Sequence, residues 1–197
     1  MRILFVCVPR TGSNSFIKAL SKSLNINHIS IPDNFDLNEN KSLIDSILSK
    51  DDIIFRMSPI NDVGYTLLEF TSFFDEVILV SRLNEKEHYQ SLVNLYYREN
   101  ILKYGTKAAY DYNDIPSTVL TQIEKVVDYD EIDTQKKQIE ELSLILDQKV
   151  LYYEDIFYSD TVVNYLNSKF DSFDKDTYSY YLSKTKKYRV TRERLLI

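Results

Sequence analysis

The stretch Ile3-Leu4-Phe5-Val6-Cys7-Val8-Pro9-Arg10-Thr11-Gly12-Ser13-Asn14-Ser15-Phe16-Ile17-Lys18-Ala19-Leu20 decides how this chain is read. Ile3–Val8 is apolar at every position, the pattern of a strand covered on both faces rather than one with a solvated side. Pro9-Arg10 ends that run, and Gly12 lets the backbone turn sharply. From Ser13 the period changes: Phe16, Ala19, Leu20 and Leu24 fall on one face of a helix over Ser13–Leu24. A loop between a buried strand and a helix N-terminus meets unpaired backbone N–H groups and the positive end of the helix dipole, which favours phosphate. Arg10 adds a forked cation, and Thr11, Gly12, Ser13, Asn14 and Ser15 add hydroxyls, an amide and close backbone approach. A plain strand–helix turn with a serine cap is the competing reading.

Working outward, Asp52–Met57, Glu76–Ser81 and Lys149–Tyr153 are also short, continuously apolar segments, and His28–Ile31 is a candidate fifth strand. Helical spacing lies between them at Ser42–Leu48, Asn84–Tyr104 and Gln135–Leu146. Strands alternating with helices predict an α/β fold, a three-layer doubly wound parallel sheet with right-handed crossovers. We expect one domain over 1–197, with a helical or loop insertion around 98–147. Lys103–Pro116 breaks the periodic pattern and reads equally as a lid or a surface connection.

The bulk numbers narrow the function classes. The chain has 197 residues with a net charge of −6, so no global attraction to nucleic acid is expected and any anion site must be local. Gly 3 and Pro 4 are low counts, which gives each one weight as punctuation. Cys7 is the only cysteine and sits in the first apolar run, so it reads as a buried structural thiol in a reduced compartment. No segment is long enough for a membrane span, and a cytoplasmic protein is expected. The loop is not a Walker A sequence: it lacks the second glycine and the lysine before the hydroxyl residue. That argues against a magnesium-dependent kinase and for a phosphate grip that needs no metal.

The stretch Pro9-Arg10-Thr11-Gly12-Ser13 resembles the loop P-[KR]-[ST]-G-[ST] of sulfotransferases that use 3′-phosphoadenosine 5′-phosphosulfate (PAPS). Two further segments follow in the order that family shows. Val80-Ser81-Arg82-Leu83-Asn84, followed by Ser91, is similar to its arginine-and-serine 3′-phosphate site. Leu151-Tyr152-Tyr153-Glu154-Asp155 is similar to its Y-E-D-L element, where the carboxylates are expected to position nearby loops. The spacing looks most like short bacterial or phage-type members, whose fold is P-loop NTPase-like.

The resemblance implies transfer of a sulfuryl group from PAPS to a hydroxyl or amine of a small-molecule or carbohydrate acceptor. It implies adenosine 3′,5′-bisphosphate as product and no metal. Arg10 then stands where many relatives carry lysine, and stabilises leaving phosphate charge without donating a proton. Arg56 takes the place of a strand-edge lysine against the sulfuryl oxygens. The histidine that follows that lysine in some relatives is absent, which opens the question of the base. His28 is one candidate, and Asp33, Asp36 and Asp111 are equal alternatives. The R-K-G pattern of the family's C-terminal loop is also absent; Lys186 and Lys187, in the basic tail Lys184–Arg194, are its substitutes for the 3′-phosphate. The alternatives to a sulfotransferase are a non-catalytic nucleotide-binding member of the fold and a P-loop-like phosphotransferase.

Overall fold

The computed structural model describes residues 1–31, 37–102, 112–127 and 129–194, with the side chains at 37–41, 98, 114 and 185–194 outside the description. Its centre is a parallel sheet of β1 (Arg2–Cys7), β2 (His28–Ser30), β3 (Ile53–Met57), β4 (Glu76–Ser81) and β5 (Val150–Tyr152), in the order β2-β3-β1-β4-β5. β1 runs between β3 and β4, with Leu4 opposite Phe55 on one side and opposite Val77 on the other. A strand paired on both edges and covered on both faces has no solvent contact, and Ile3 through Val8 are each 0% exposed. That central position is why the sequence alternates nothing there.

Helices cover both faces. The side chains of Ile3, Phe5 and Cys7 join a cluster with α1 (Ser13–Leu24), α7 (Tyr153–Tyr158), α8 (Thr161–Lys169) and α9 (Lys175–Arg194). Leu4, Val6 and Val8 point the other way, toward α2 (Leu37–Leu48), α3 (Leu67–Thr71) and α6 (Tyr129–Leu146). Period-two alternation along β1 therefore splits the core into two halves. On the first face Phe16 packs edge-on against both Phe5 and Tyr178, at 5.2 and 6.0 Å between centroids. On the second, Phe55 meets Phe70 edge-on at 5.8 Å and stacks on Phe74 at 6.2 Å. Each such ring removes enough apolar area from water to contribute roughly 2–3 kcal/mol.

The expected strands stand within a residue or so of their observed limits, whereas the helices differ more: α2 and α6 begin five and six residues before the expected Ser42 and Gln135. The pattern over Asn84–Tyr104 predicts one helix. Instead α4 (Glu85–Tyr96) ends in a π-helical turn, Tyr97–Ile101. That turn brings Tyr97 into a small separate cluster with Val93, Ile115 and Ile123 of the following α5 (Ser117–Ile123). α3, α5, α7 and α8, too short and mixed to show a period, were not expected. The basic tail continues α9, whose earlier residues Tyr178 and Leu182 pack against α1. Most of the irregular Lys103–Pro116 stretch lies outside the described residues. Among the described residues no helix is long and apolar enough to cross a membrane.

The connections decide where a ligand can sit. β1 leaves through α1 on one face toward β2, whereas β4 leaves through α4, α5 and α6 on the opposite face toward β5. Neighbouring strands whose crossovers diverge leave a crevice at their carboxyl ends, the usual ligand position in open α/β sheets.

Candidate functional site

Two loops meet at that crevice: residues 8–12 after β1, and residues 82–84 after β4. Arg10 and Gly12 both adopt left-handed backbone, with φ of 63° and 70°. For Gly12 this is natural. For arginine it costs about 1 kcal/mol or more, a strain often found where a loop has a task. Gly12 is required twice over, because a Cβ there would lie 2.6 Å from Phe157 Cε2 and 2.9 Å from Tyr153 Cε2. α7 thus presses the loop from behind.

Gly12 is also the N-cap of α1, with no side-chain capping bond. The first turn closes through the N–H groups of Ser15 and Phe16 on the Gly12 carbonyl, at 3.1 and 3.2 Å. The N–H groups of Ser13 and Asn14 are left at the open end of the helix, and no acidic residue occupies its first turn. Thr11, fully buried, donates its hydroxyl to the Val8 carbonyl at 2.9 Å, so it shapes the loop and offers no side chain to a ligand. Ser13 is buried, Ser15 half-buried and Asn14 exposed.

Arg10 and Ser91, expected to serve different phosphates, are joined: Arg10 Nε donates to Ser91 Oγ at 3.1 Å. Arg82 lies beside them, 8% exposed, and Nη1 reaches the Arg10 carbonyl at 3.4 Å. Its charge is balanced within the protein. Nη2 donates to Glu87 at 2.9 Å, Nε stands 3.8 Å from Glu154, and the guanidinium lies 4.3 Å over the Tyr153 ring. Glu154 in turn accepts from the backbone N–H groups of Leu83 and Asn84, each at 3.1 Å. The Tyr153-Glu154 pair therefore clamps the turn that launches α4, the positioning role expected of this element.

His88 is the residue that sequence reasoning missed. It lies within the Asn84–Tyr104 helical pattern, is 1% exposed, and its Nε2 lies 2.7 Å from the Pro9 carbonyl. A carbonyl only accepts, so Nε2 carries the proton. Burial lowers the ring's pKa to about 4; the Pro9 bond opposes this, and Lys136 and Arg82 reinforce it. The ring is neutral near pH 7 and pins the loop from the α4 side. The signal available was its spacing, one helical turn before Ser91.

The remaining expected residues are not brought to the crevice. His28 pairs in register with Ile54, which is opposite Ile3. It therefore lies at the amino edge of the sheet, five residues of strand and roughly 16 Å from the loop end of β1. In a parallel sheet the start of a strand is the end away from the ligand edge, and His28 is corrected from candidate base to an exposed edge residue. Its pKa is lowered by partial burial, then by Lys18 and Lys22. Arg56 is buried, 9% exposed, because β3 places it under the first face of the sheet. Its Nε donates to Cys7 Sγ at 3.2 Å and Nη1 to the Ile31 carbonyl at 3.3 Å. These contacts tie β3 to β1 and β2. Asp33, Asp36 and Asp111 lie outside the described residues, as do the side chains of Lys186 and Lys187. Among the described residues no group of three histidine, cysteine, aspartate or glutamate side chains could hold a metal.

The fold and the site together define an α/β protein with a five-stranded parallel sheet flanked by helices, and a basic, helix-capped loop at its switch crevice. No protein-family model, curated protein or solved structure matches the chain.

Proposed function

We propose that this chain is a PAPS-dependent sulfotransferase with a P-loop NTPase-like arrangement of its sheet. One observation carries the reading. The loop after β1 opens onto the uncapped N-terminus of α1 while Arg10, Ser91 and Arg82 converge from two chain segments on the same crevice. The strand order and the loop's place after the central strand support it. The resemblance of the three sequence segments supplies the identity of the donor.

The residues present fit a nucleotide bearing two anionic ends. The N–H groups of Ser13 and Asn14, with Arg10, would hold the 5′-phosphosulfate end. Arg82 and Ser91 would hold the 3′-phosphate, once the incoming anion takes the place of Glu87 on the guanidinium. Bound there, the donor supplies an activated sulfuryl group: its bridging S–O bond breaks as the acceptor oxygen or nitrogen bonds to sulfur. Arg10 and the α1 amides stabilise the charge left on the phosphate, which leaves as an anion and needs no proton. The acceptor must also give up a proton, and neither His28, at the far edge of the sheet, nor His88 Nε2, which already carries a proton, is placed to take it.

Binding without turnover is a second reading, favoured by the placement of both histidines: His28 is at the far edge, and His88 has its Nε2 proton engaged by Pro9. A thermal-shift titration tests the donor assignment. Adenosine 3′,5′-bisphosphate at about a hundred times its Kd should stabilise the protein by roughly 2.7 kcal/mol. A shift with ATP–magnesium and none with the bisphosphate would overturn it. Transfer of label from PAPS to a panel of hydroxyl and amine acceptors then separates turnover from binding alone.

A further inference from the structure

His88 and Ser91 lie one turn apart on α4, and both reach across to the loop after β1. His88 Nε2 donates to the Pro9 carbonyl at 2.7 Å, and Ser91 Oγ accepts from Arg10 Nε at 3.1 Å. The neighbouring carbonyls are engaged as well. Thr11 Oγ1 donates to the Val8 carbonyl at 2.9 Å, and Arg82 Nη1 to the Arg10 carbonyl at 3.4 Å. Three successive carbonyls are thus each fixed by a side chain, and the bond from His88 is the shortest of the three.

A trans peptide is planar, so fixing a carbonyl also fixes the N–H of the following residue, which points the opposite way. The Pro9 carbonyl therefore sets the direction of the Arg10 N–H, and the Arg10 carbonyl sets that of Thr11. Arg10 and Gly12 have positive φ, and Thr11 between them does not. That alternation turns successive N–H groups toward one side of the loop, the form of an anion-binding hollow. It lasts only while Arg10 stays left-handed. An arginine released from its bonds returns to the right-handed conformation of lower energy, and the N–H groups diverge. His88 is 1% exposed, so solvent does not compete for its bond.

We propose that His88 is the positioning residue of the anion loop. Its Nε2–H holds the Pro9 carbonyl toward α4, and so keeps Arg10 in the left-handed conformation from which the loop grips an anion. One helix then carries both holds on Arg10: His88 on the backbone before it, and Ser91 on its side chain. The inference rests on the loop being an anion site, as proposed above, and not on which nucleotide fills it.

Three variants of the full chain test it, with inorganic pyrophosphate as the probe. His88→Gln puts an amide N–H on a stem long enough to stand where Nε2 stands. His88→Asn puts it one carbon short, and His88→Leu fills the space with no N–H at all. In the ¹⁵N-labelled parent protein, pyrophosphate should move the amide signals of Gly12, Ser13 and Asn14 saturably. Asn and Leu at position 88 should each weaken that binding about tenfold, the loss of one hydrogen bond. The Gln variant should stay within about threefold of the parent. Lost packing alone would weaken Gln and Asn alike, because both replace the buried ring with an amide. Parent-like affinity in the folded Leu or Asn variant, or a Gln variant as weak as Asn, overturns the proposal. A parent protein that binds no pyrophosphate overturns it together with the anion site. Binding of pyrophosphate that depends on His88, with none of adenosine 3′,5′-bisphosphate, upholds it and overturns only the donor.

Discussion

Replacing His88 with Gln and following unfolding as pH falls isolates the cost of charging one buried ring. Burial, Lys136 and Arg82 depress its folded-state pKa to about 4, against the opposing effects of the Pro9 bond and Glu154. In the unfolded chain the ring returns to an ordinary value near 6.5. Between those two values the unfolded state binds a proton that the native state does not, so native stability falls with acidification. The contribution is fully present above about pH 6.5, and it is lost progressively down to about pH 4. Each pH unit inside that window removes about 1.4 kcal/mol, so the drop from about pH 6.5 to about pH 5 costs about 2 kcal/mol. Glutamine keeps an N–H for the Pro9 carbonyl and does not titrate. Urea unfolding of both proteins at several pH values, each in the His28→Gln background, gives the difference directly. The carboxylates titrate alike in both, so their effect cancels. Parallel stability profiles for the two proteins between about pH 6.5 and 5 would refute the buried, neutral ring on which the loop geometry depends.

Gly12→Ala forces a β-carbon into the Tyr153 and Phe157 rings at a left-handed position, and should lower stability by about 2–4 kcal/mol in urea unfolding. Glu87→Gln releases Arg82 from its nearest carboxylate. Adenosine bisphosphate should then bind about two- to fivefold more tightly by calorimetry, since a pair with so exposed a partner contributes at most about 1 kcal/mol. Arg10→Ala should abolish the thermal shift with the bisphosphate and, by removing the bond to Ser91, cost about 1 kcal/mol of stability in the unliganded protein. Ser91→Ala removes the acceptor of Arg10 Nε, and should cost about 1 kcal/mol of stability and weaken bisphosphate binding severalfold.

Much of the fold was legible because its strands are central. An unbroken apolar run such as Ile3–Val8 has one comfortable environment, between two neighbours and under two layers of helix. The helix after it showed its face through Phe16, Ala19, Leu20 and Leu24. The loop between them was legible as a tight glycine turn into a helix N-terminus. His28 was expected as a base, yet it begins a parallel strand and so lies at the edge opposite the ligand crevice.

Tertiary structure decided the partners. Arg82 reads as a cation on offer, yet Glu154, seventy-two positions away, and Glu87, one turn into the next helix, already share its charge. His88 meets Pro9, and Arg10 meets Ser91, only because the crossovers diverge between β1 and β4 and fold α4 back over the first loop. Arg56 turns inward to Cys7 because strand register, set by packing on both faces, chooses which side of the sheet each residue faces. Local periodicity determines which segments are strands and helices. Which charges cancel and which nitrogen is left unpaired depends on contacts between residues far apart in sequence, and no local pattern encodes those.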